Sequence, residues 1–228
     1  LNLTKLDIKG LGKAKYILKE GGTLGDLYTT SNLRFNDNGY VEVDKNGNLL
    51  MTDEGEDIYL GSVFPNHNLA WRNDFSYKGI NLGVLFTARL GGVCYSATQA
   101  NLDLYGVSEA SAAARDAGGV LINGREMVDA QKWYQAIGSQ SGLPQYYLYS
   151  ATNVRLQELS LGYTFPRKWF RNKLGLTVSF VGRNLWMIYC KAPFDPEAVA
   201  STGLNYQGID YFMMPSVRNL GFNVKFQF

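Results

Sequence analysis

The sequence predicts an all-β chain that contributes the C-terminal strands of a transmembrane antiparallel β-barrel. Three observations lead to this fold class. The last ten residues alternate strictly between apolar and polar side chains. The connections between predicted strands alternate between short and long. Aromatic residues and glycines are abundant, with 15 Tyr, 12 Phe and 25 Gly, while no apolar run approaches the ~20 residues that a membrane-spanning helix needs.

The final strand, predicted over 217–228, has one apolar and one polar face. The apolar positions are Leu220, Phe222, Val224, Phe226 and Phe228. Because side chains of a strand point alternately to its two faces, the residues between them share the polar face. The length suits a membrane strand of ~9–11 residues. This stretch alone fits equally well a strand of a soluble β-sandwich whose apolar face covers a core.

Charge balance and residue types exclude several classes of function. The chain carries 22 basic and 20 acidic residues, whereas a nucleic-acid-binding protein shows a basic excess. His67 is the only histidine, and the sequence has no Cys/His cluster from which a zinc site is built. We therefore expect no metal and no cofactor. No pair of Asp or Glu residues stands out as an acid–base couple, so we expect no enzyme activity.

Five strands with alternating connections are predicted in the second part of the chain. Their ranges are 69–78, 80–91, 151–166, 174–189 and 217–228. The connections at 78–79 and 167–173 are short, whereas those at 92–146 and 190–215 are long. Outer-membrane barrels have short periplasmic turns and long extracellular loops in strict alternation. The pattern therefore predicts a barrel with its C-terminus on the periplasmic side.

Residues 1–68 are predicted to be an extracellular region of loops and short hairpins. Asn38-Gly39 and Asn46-Gly47 are strong turn signals, and a strand over 40–44 is expected to pair with 48–52. The acidic run at 53–57 does not follow the spacing of a calcium-binding EF-hand loop. We interpret it as a solvated loop.

The long loop at 92–146 is predicted to carry two short helices. Ser108 is expected to cap the first, over 109–117, which Gly118-Gly119 ends. The second is expected over 125–137. Its apolar side consists of Met127, Ala130, Trp133, Tyr134 and Ile137. Because helices that bind membranes carry basic polar faces, we expect this side to pack against the rest of the loop.

Several short segments in a fixed order carry a resemblance to a known family. The most specific are Ala151 to Pro166 and Gly182-Arg183-Asn184-Leu185-Trp186. The others are Gly61 to Pro65, Trp71 to Gly79, Arg89-Leu90-Gly91-Gly92, Phe194-Asp195-Pro196-Glu197-Ala198 and Pro215 to Phe228. From about Gly61 onward the chain resembles the C-terminal part of the SusC/RagA family of TonB-linked outer-membrane transporters of Bacteroidetes.

The resemblance implies a function and a set of partners. Such proteins have an N-terminal TonB box, a plug domain and a barrel of 22 strands. We interpret the chain, which starts at Leu1, as the C-terminal part of such a transporter, without the TonB box and the plug domain. The family implies uptake of oligosaccharides, and in some members peptides, across the outer membrane. Its partners would be a SusD-like surface lipoprotein, the TonB complex, outer-membrane lipid and the barrel-assembly machinery.

The same resemblance gives candidate site residues. The candidates for contact with cargo or lipoprotein in the outer loops are Trp133, Tyr134, Asp195, Glu197 and Tyr206. For Asp195-Pro196-Glu197 the simpler interpretation is a turn that shapes an outer loop, and the alternative is a contact with the lipoprotein. Phe226 and Phe228 would belong to the signal read by the barrel-assembly machinery. Arg183 and Lys225 are expected to face the lumen, since a charge facing lipid near the midplane costs ~2–4 kcal/mol.

A second hypothesis is a soluble, secreted, carbohydrate-binding β-sandwich. In that protein, loop aromatic residues would stack on sugar rings, and the candidates are Trp133, Tyr134, Tyr146, Tyr147 and Tyr206. The two hypotheses differ in the apolar face of the strands, which a sandwich covers and a barrel exposes to lipid. Cys94 and Cys190 could form a disulfide in an exported protein, or could stay separate as small buried residues.

Overall fold

A computed structural model describes residues 5–52, 55–138, 141–201, 203 and 206–228. Its strands are β1 (Lys5–Ile8), β2 (Lys15–Lys19), β3 (Asp26–Thr29), β4 (Asn32–Leu33), β5 (Met51–Thr52), β6 (Ile58–Ser62), β7 (His67–Tyr77), β8 (Ile80–Leu90), β9 (Val93–Ser96), β10 (Val120–Ile122), β11 (Glu126–Val128), β12 (Leu148–Ser150), β13 (Asn153–Phe165), β14 (Gly175–Cys190), β15 (Ile209–Asp210) and β16 (Asn219–Gln227). Its α-helices are α1 (Ala97–Leu104), α2 (Glu109–Asp116) and α3 (Ala130–Ile137).

Strands dominate the described residues, which confirms the predicted all-β class. Among these residues no helix is long and apolar enough to cross a bilayer. The two short 3₁₀ turns at Pro144–Tyr147 and Arg167–Phe170 each precede a strand. Asp53 and Glu54 of the predicted acidic loop lie outside the described residues.

The chain divides into two compact units that each draw on three separate segments. Unit 1 consists of Leu1–Phe64, Gly92–Ser150 and Pro196–Met213, and unit 2 consists of Pro65–Gly91, Ala151–Asp195 and Met214–Phe228. The prediction instead divided the chain once, after residue 68. The structural reason for the difference is that buried side chains from all three segments of unit 1 form one apolar core.

The core of unit 1 lies among small sheets and the three helices. The strands β1, β2, β3 and β6 form one antiparallel sheet, and β9 pairs with β12 on one side and with the parallel β15 on the other. Leu27, Tyr95 and Ile209, one from each segment, are almost fully buried in the shared core. The hydroxyl of Tyr16 donates a hydrogen bond to the carbonyl oxygen of Gln207. These contacts fix the distant segments of unit 1 to one another.

The predicted hairpin around residues 40–52 is present with less regular pairing than expected. Isolated bridges join Phe35 to Val41 and Val43 to Leu49. The strands β4 and β5, which flank these residues in the sequence, pair with each other. Gly39 and Gly47 have positive φ angles of 77° and 75°, which glycine adopts without a steric penalty. Both Asn-Gly turns therefore lie where the sequence places them.

The second predicted helix, over 125–137, is too long by about one turn and a half at its start. Glu126–Val128 is strand β11, which pairs with β10, and the helix α3 begins at Ala130. The Asp129 carboxylate accepts a hydrogen bond from the backbone nitrogen of Lys132 and caps the helix there. Asn123 and Gly124, with φ angles of 55° and 70°, form the turn between the two strands. This Asn-Gly signal was present in the sequence.

The first predicted helix begins where its capping residue indicated. The α2 helix spans Glu109–Asp116, and the Ser108 side chain accepts a hydrogen bond from the backbone nitrogen of Ser111. The α1 helix was not predicted. Its capping residue is Ser96, whose hydroxyl accepts from the backbone nitrogen of Gln99 and donates to Asp210 at 2.7 Å.

Unit 2 contains one antiparallel sheet in the order β16-β14-β13-β8-β7. Lys78 and Gly79, with φ angles of 47° and 87°, form the two-residue turn between β7 and β8, as expected from the phase switch of the apolar residues there. A register shift between Leu156 and Glu158 confirms the predicted bulge. Since the bulge adds one residue against β8, Leu156 and Leu159 point to the same face.

We predict that replacement of Asn73 by Leu stabilises unit 2. Asn73 lies in β7 between Trp71 and Phe75 on the apolar face, and its buried Nδ2 has no hydrogen-bond partner among the described residues. Removal of such a group is expected to raise the free energy of unfolding in detergent by about 1–3 kcal/mol.

The matched control for Asn73 is Asn81→Leu. Asn81 accepts from the Ser76 hydroxyl and donates to Thr164 Oγ1, each at 2.9 Å, so its loss is expected to lower the free energy of unfolding by about 1 kcal/mol or more. A destabilised Asn73→Leu variant would mean that the Asn73 amide has a partner outside the described residues.

We also predict that unit 1 loses stability in acid through Asp57. Lys5 and Lys19, with Nζ atoms at 2.8 and 2.9 Å, lower the pKa of the Asp57 carboxyl below its ordinary value. The carboxylate therefore contributes stability above the unfolded pKa of ~3.9, and this contribution disappears as the pH falls through the lower folded pKa. Urea unfolding from pH 7 to pH 2 should show a smaller acid loss in Asp57→Asn. An unchanged profile would contradict this assignment.

Candidate functional site

The unit 2 sheet has an exposed apolar face that extends across all five strands. On β16 it presents Leu220, Phe222, Val224 and Phe226, and Phe222 is 81% exposed. On β7 it presents Leu69, Trp71, Phe75 and Tyr77, all of them exposed. Phe180 of β14 stands opposite Phe222, with ring centroids 5.6 Å apart. Such a continuous apolar surface indicates contact with another apolar surface or with lipid.

Aromatic rings lie in two rows at the two ends of this apolar face. In the first row Trp71 stacks on Phe86 at 5.7 Å, and the register continues through Leu156 to Trp186. In the second row Tyr77 and Tyr163 both stand opposite Ile80. Trp71 and Tyr77 are six residues apart, which is ~20 Å along a strand. Membrane barrels carry an apolar band of about 25 Å between two aromatic girdles.

The opposite face of the same sheet is polar and connected across strands. Glu158 of β13 accepts a hydrogen bond from Arg183 Nε at 3.0 Å and lies 3.7 Å from Arg72 Nη1. Thr164 and Thr177 approach within 3.1 Å through their hydroxyls. Lys225 pairs with Thr177 in the register and shares this face. The sheet therefore separates an apolar surface from a charged, hydrogen-bonding one.

Asp195, one of the predicted contact residues, is buried in an ion pair. Its Oδ1 lies 2.9 Å from Nη2 of Arg155, and the two side chains are only 8% and 4% exposed. Arg155 also donates from Nε to Asn153 Oδ1 at 3.2 Å. The Ser216 hydroxyl donates a hydrogen bond to Asp195 Oδ2. Asp195 therefore fixes the segment after β14 to β13 and to the segment before β16.

The polar cluster around Asp195 lies beside an open cavity of about 370 Å³. Leu185, Met187 and Phe194 give it an apolar wall, while Asp195, Ser216 and Arg218 supply polar atoms. Asn184, with a φ angle of 52°, bulges from β14 and donates from Nδ2 to the Val217 carbonyl oxygen at 3.2 Å. Asn184 at the bulge and Asp195 of the ion pair therefore both line this cavity.

Trp133 and Tyr134 lie side by side on α3 in unit 1. Both are half-buried and pack against the apolar core. Trp133 meets Tyr146 edge to face, with centroids 5.9 Å apart and planes at 86°. Burial and the negative charge of Asp103 raise the pKa of the Tyr134 hydroxyl. Trp133 is therefore largely a packing residue, whereas Tyr134 also lines a cavity beside α1 and α2.

The remaining predicted residues lie at exposed positions. Glu197 and Tyr206 are exposed in the segment that leads to β15. Phe226 is exposed on the apolar face of β16, and Phe228 is the exposed last residue. Cys94 is buried and Cys190 is half-buried, and no disulfide joins these two residues.

Sequence reasoning missed Arg155 as the partner of Asp195. The two residues are 40 positions apart, and nothing in the spacing of charges indicates that they meet. An arginine between Val154 and Leu156 falls on the polar face of an alternating strand, where a charge is ordinarily solvated, so no local signal identifies Arg155.

Unit 2 combines three features: a long-stranded antiparallel sheet, an exposed apolar face with aromatic rows, and a polar opposite face. This combination is typical of membrane β-barrel walls.

The chain is 26% identical over 198 residues to the TonB-dependent receptor P3 of Formosa agariphila, and the aligned region covers 82% of this chain and 19% of the receptor. It is similar in fold to the RagAB peptide transporter, with a TM-score of 0.54, 18% identity and coverage of 99% of this chain and 24% of the transporter chain. No family model matches the chain.

These comparisons confirm the resemblance predicted from the sequence. The chain is similar to part of a TonB-dependent transporter of the SusC/RagA kind. It spans about a fifth of the length of the Formosa receptor. The names of these two relatives describe a receptor and a transporter.

We predict that Arg155→Gln strongly destabilises unit 2 because it leaves the buried Asp195 carboxylate without its cation. Loss of one partner from a buried ion pair costs about 3–5 kcal/mol of unfolding free energy. The matched control is Arg183→Gln, whose side chain is 65% exposed beside Glu158 and whose loss should cost about 1 kcal/mol or less. Urea unfolding of both variants in detergent measures the difference. Equal losses would contradict a structural role for the Arg155–Asp195 pair.

Proposed function

We propose that the chain is part of the barrel wall of an outer-membrane, TonB-dependent nutrient importer. The observation that carries this proposal is the unit 2 sheet, in which an exposed apolar face and a polar face are separated by one layer of strands. In a barrel the apolar face contacts lipid, and the polar face with Arg183 and Lys225 faces the lumen. The similarity to the Formosa receptor supports the same function.

In this proposal residues 69–228 supply about the last five strands of a barrel of 22 strands, at 69–78, 80–91, 151–166, 174–189 and 217–228. Residues 1–68 and the long connections at 92–146 and 190–215 lie on the extracellular side. The short turn at Lys78-Gly79 then lies on the periplasmic side, together with the C-terminus. The cell would be a Gram-negative bacterium of the Bacteroidetes type.

The proposed importer works with partners that the resemblance implies. A SusD-like lipoprotein would close it from outside, and the TonB complex would supply energy through a part of the protein outside this chain. We propose Trp133, Tyr134, Asp195, Glu197 and Tyr206 as the region of contact with cargo or lipoprotein. Phe226 and Phe228 would belong to the signal for the barrel-assembly machinery. Oligosaccharides are the first candidate cargo and peptides the second.

The soluble, carbohydrate-binding β-sandwich is the alternative, and the apolar face disfavours it. In a sandwich the inner face of each sheet packs on a second sheet ~10 Å away. Here Trp71, Phe75, Leu220 and Phe222 are each more than half exposed. Exposure of so many large apolar side chains on one face is unfavourable in water.

Tryptophan quenching by brominated lipid tests the membrane proposal. Two variants of the full protein are reconstituted into vesicles, one that retains only Trp186 and one that retains only Trp133. We expect bromine on the acyl chains to quench Trp186, which lies on the exposed apolar face, and to leave Trp133 of unit 1 unquenched. Absence of quenching in both variants would contradict the barrel and favour the soluble sandwich.

A further inference from the structure

A cavity of about 200 Å³ lies between α1, α2 and α3 in unit 1. Its polar lining combines a carboxylate, a guanidinium, a hydroxyl and two phenol rings, from Asp103, Arg115, Ser111, Tyr105 and Tyr134. We propose that this cavity binds one sugar ring of a neutral oligosaccharide. The inference rests on the proposed importer function and names the substrate class and the residues that recognise it.

Asp103 supplies a buried acceptor for ligand hydroxyl groups. The residue is 5% exposed, and its Oδ1 accepts a hydrogen bond from Gln99 Nε2 at 3.1 Å. A carboxylate has about four acceptor sites on its two oxygens, so this bond leaves capacity for others. Burial and the negative charge of Asp103 raise the pKa of the nearby Tyr147 hydroxyl. With Gln99 and Tyr147 as neighbours, the Asp103 carboxylate still has acceptor sites for a ligand.

Arg115 supplies donors at the same cavity. Its Nη1 donates to the Gly106 carbonyl oxygen at 2.8 Å and lies 3.5 Å from the Ser111 hydroxyl. These contacts fix the guanidinium, while Nε and Nη2 make no hydrogen bond to any residue that the structure describes. Gly106 has a positive φ angle of 68°, which glycine adopts without a steric penalty. The guanidinium is thus held in place with donors left for a ligand.

The combination of charges favours a neutral, hydroxyl-rich ligand. A ligand with a net charge would be attracted by one of the two side chains, Asp103 or Arg115, and repelled by the other. The repulsion would offset much of the electrostatic attraction. Neighbouring sugar hydroxyls can donate to the carboxylate and accept from the guanidinium at the same time. Tyr105, which is 76% exposed, and Tyr134 add aromatic surface for the apolar side of a sugar ring.

The size of the cavity limits the ligand to one ring at this position. Pockets that enclose a drug-sized molecule have volumes of roughly 300–1,000 Å³, and this cavity is smaller. The remaining units of an oligosaccharide would extend from the mouth beside Tyr105. The cavity is therefore a subsite of an importer rather than a complete binding site.

Calorimetric titration of the full protein in detergent tests the assignment. The probes are neutral gluco-, galacto-, manno- and fructo-oligosaccharides of four units, with tetra-alanine for comparison. The variants are Asp103→Asn and Arg115→Gln, and the matched control is Asp116→Asn, an exposed residue at the end of α2. Arg115 is itself exposed, so its variant keeps the test valid if Asp103→Asn does not fold.

We expect at least one oligosaccharide to bind the unaltered protein and Asp116→Asn equally. Because hydrogen bonds to charged groups are the strong ones, binding should weaken by about tenfold or more in Arg115→Gln and in Asp103→Asn. The inference is overturned if no oligosaccharide binds, if both variants bind as tightly as the control, or if tetra-alanine alone binds and loses affinity in Asp103→Asn. Titration in detergent needs neither a membrane nor TonB, whereas quenching of Trp186 by brominated lipid tests the importer proposal separately. Failure of the sugar site can therefore be distinguished from failure of the importer proposal.

Discussion

Antiparallel pairing across β7, β8, β13, β14 and β16 is the constraint on which unit 2 depends. Each side chain shares its face with the residue directly opposite, so a slip by one residue would exchange the apolar and polar faces of a strand. The bulge at Gln157 shows how strictly this holds. In a regular strand Leu156 and Leu159, which are three positions apart, would point to opposite faces, and the bulge places them on the same face. The face with aromatic rows and the face with Glu158 both follow from this register.

The Arg155–Asp195 pair is a second constraint, because it is polar and almost fully buried. Two charges removed from water are expensive unless their geometry is good and their other hydrogen bonds are made. Here Asn153 and Ser216 complete the coordination of the two side chains. The pair contributes chiefly by fixing where the chain leaves β14 and where it returns to β16. Asp195, which was predicted as a contact for cargo or lipoprotein, therefore joins three segments of unit 2.

Unit 1 depends on a different principle, since its short strands and helices cannot each bury enough apolar surface alone. Segments around residues 27, 95 and 209 contribute to one core. Each α-helix is capped by the side chain of the residue just before it, which is Ser96, Ser108 or Asp129. The cavity with Asp103 and Arg115 is lined by residues of all three short helices and of the turn that follows α1. Cargo recognition proposed for this cavity thus depends on long-range packing, whereas the proposed lipid contact depends on local alternation.

The sequence alone determined the all-β class, the five long strands, the two-residue turn at Lys78-Gly79 and the bulge, because strand periodicity and turn chemistry are local properties. It also contained the Asn123-Gly124 turn that limits α3. The tertiary structure alone decided that 1–64, 92–150 and 196–213 share a core, that Asp195 meets Arg155, and that Asp103 and Arg115 share a cavity. These contacts join residues far apart in the chain, and no periodicity encodes such pairs, since they depend on how whole segments pack.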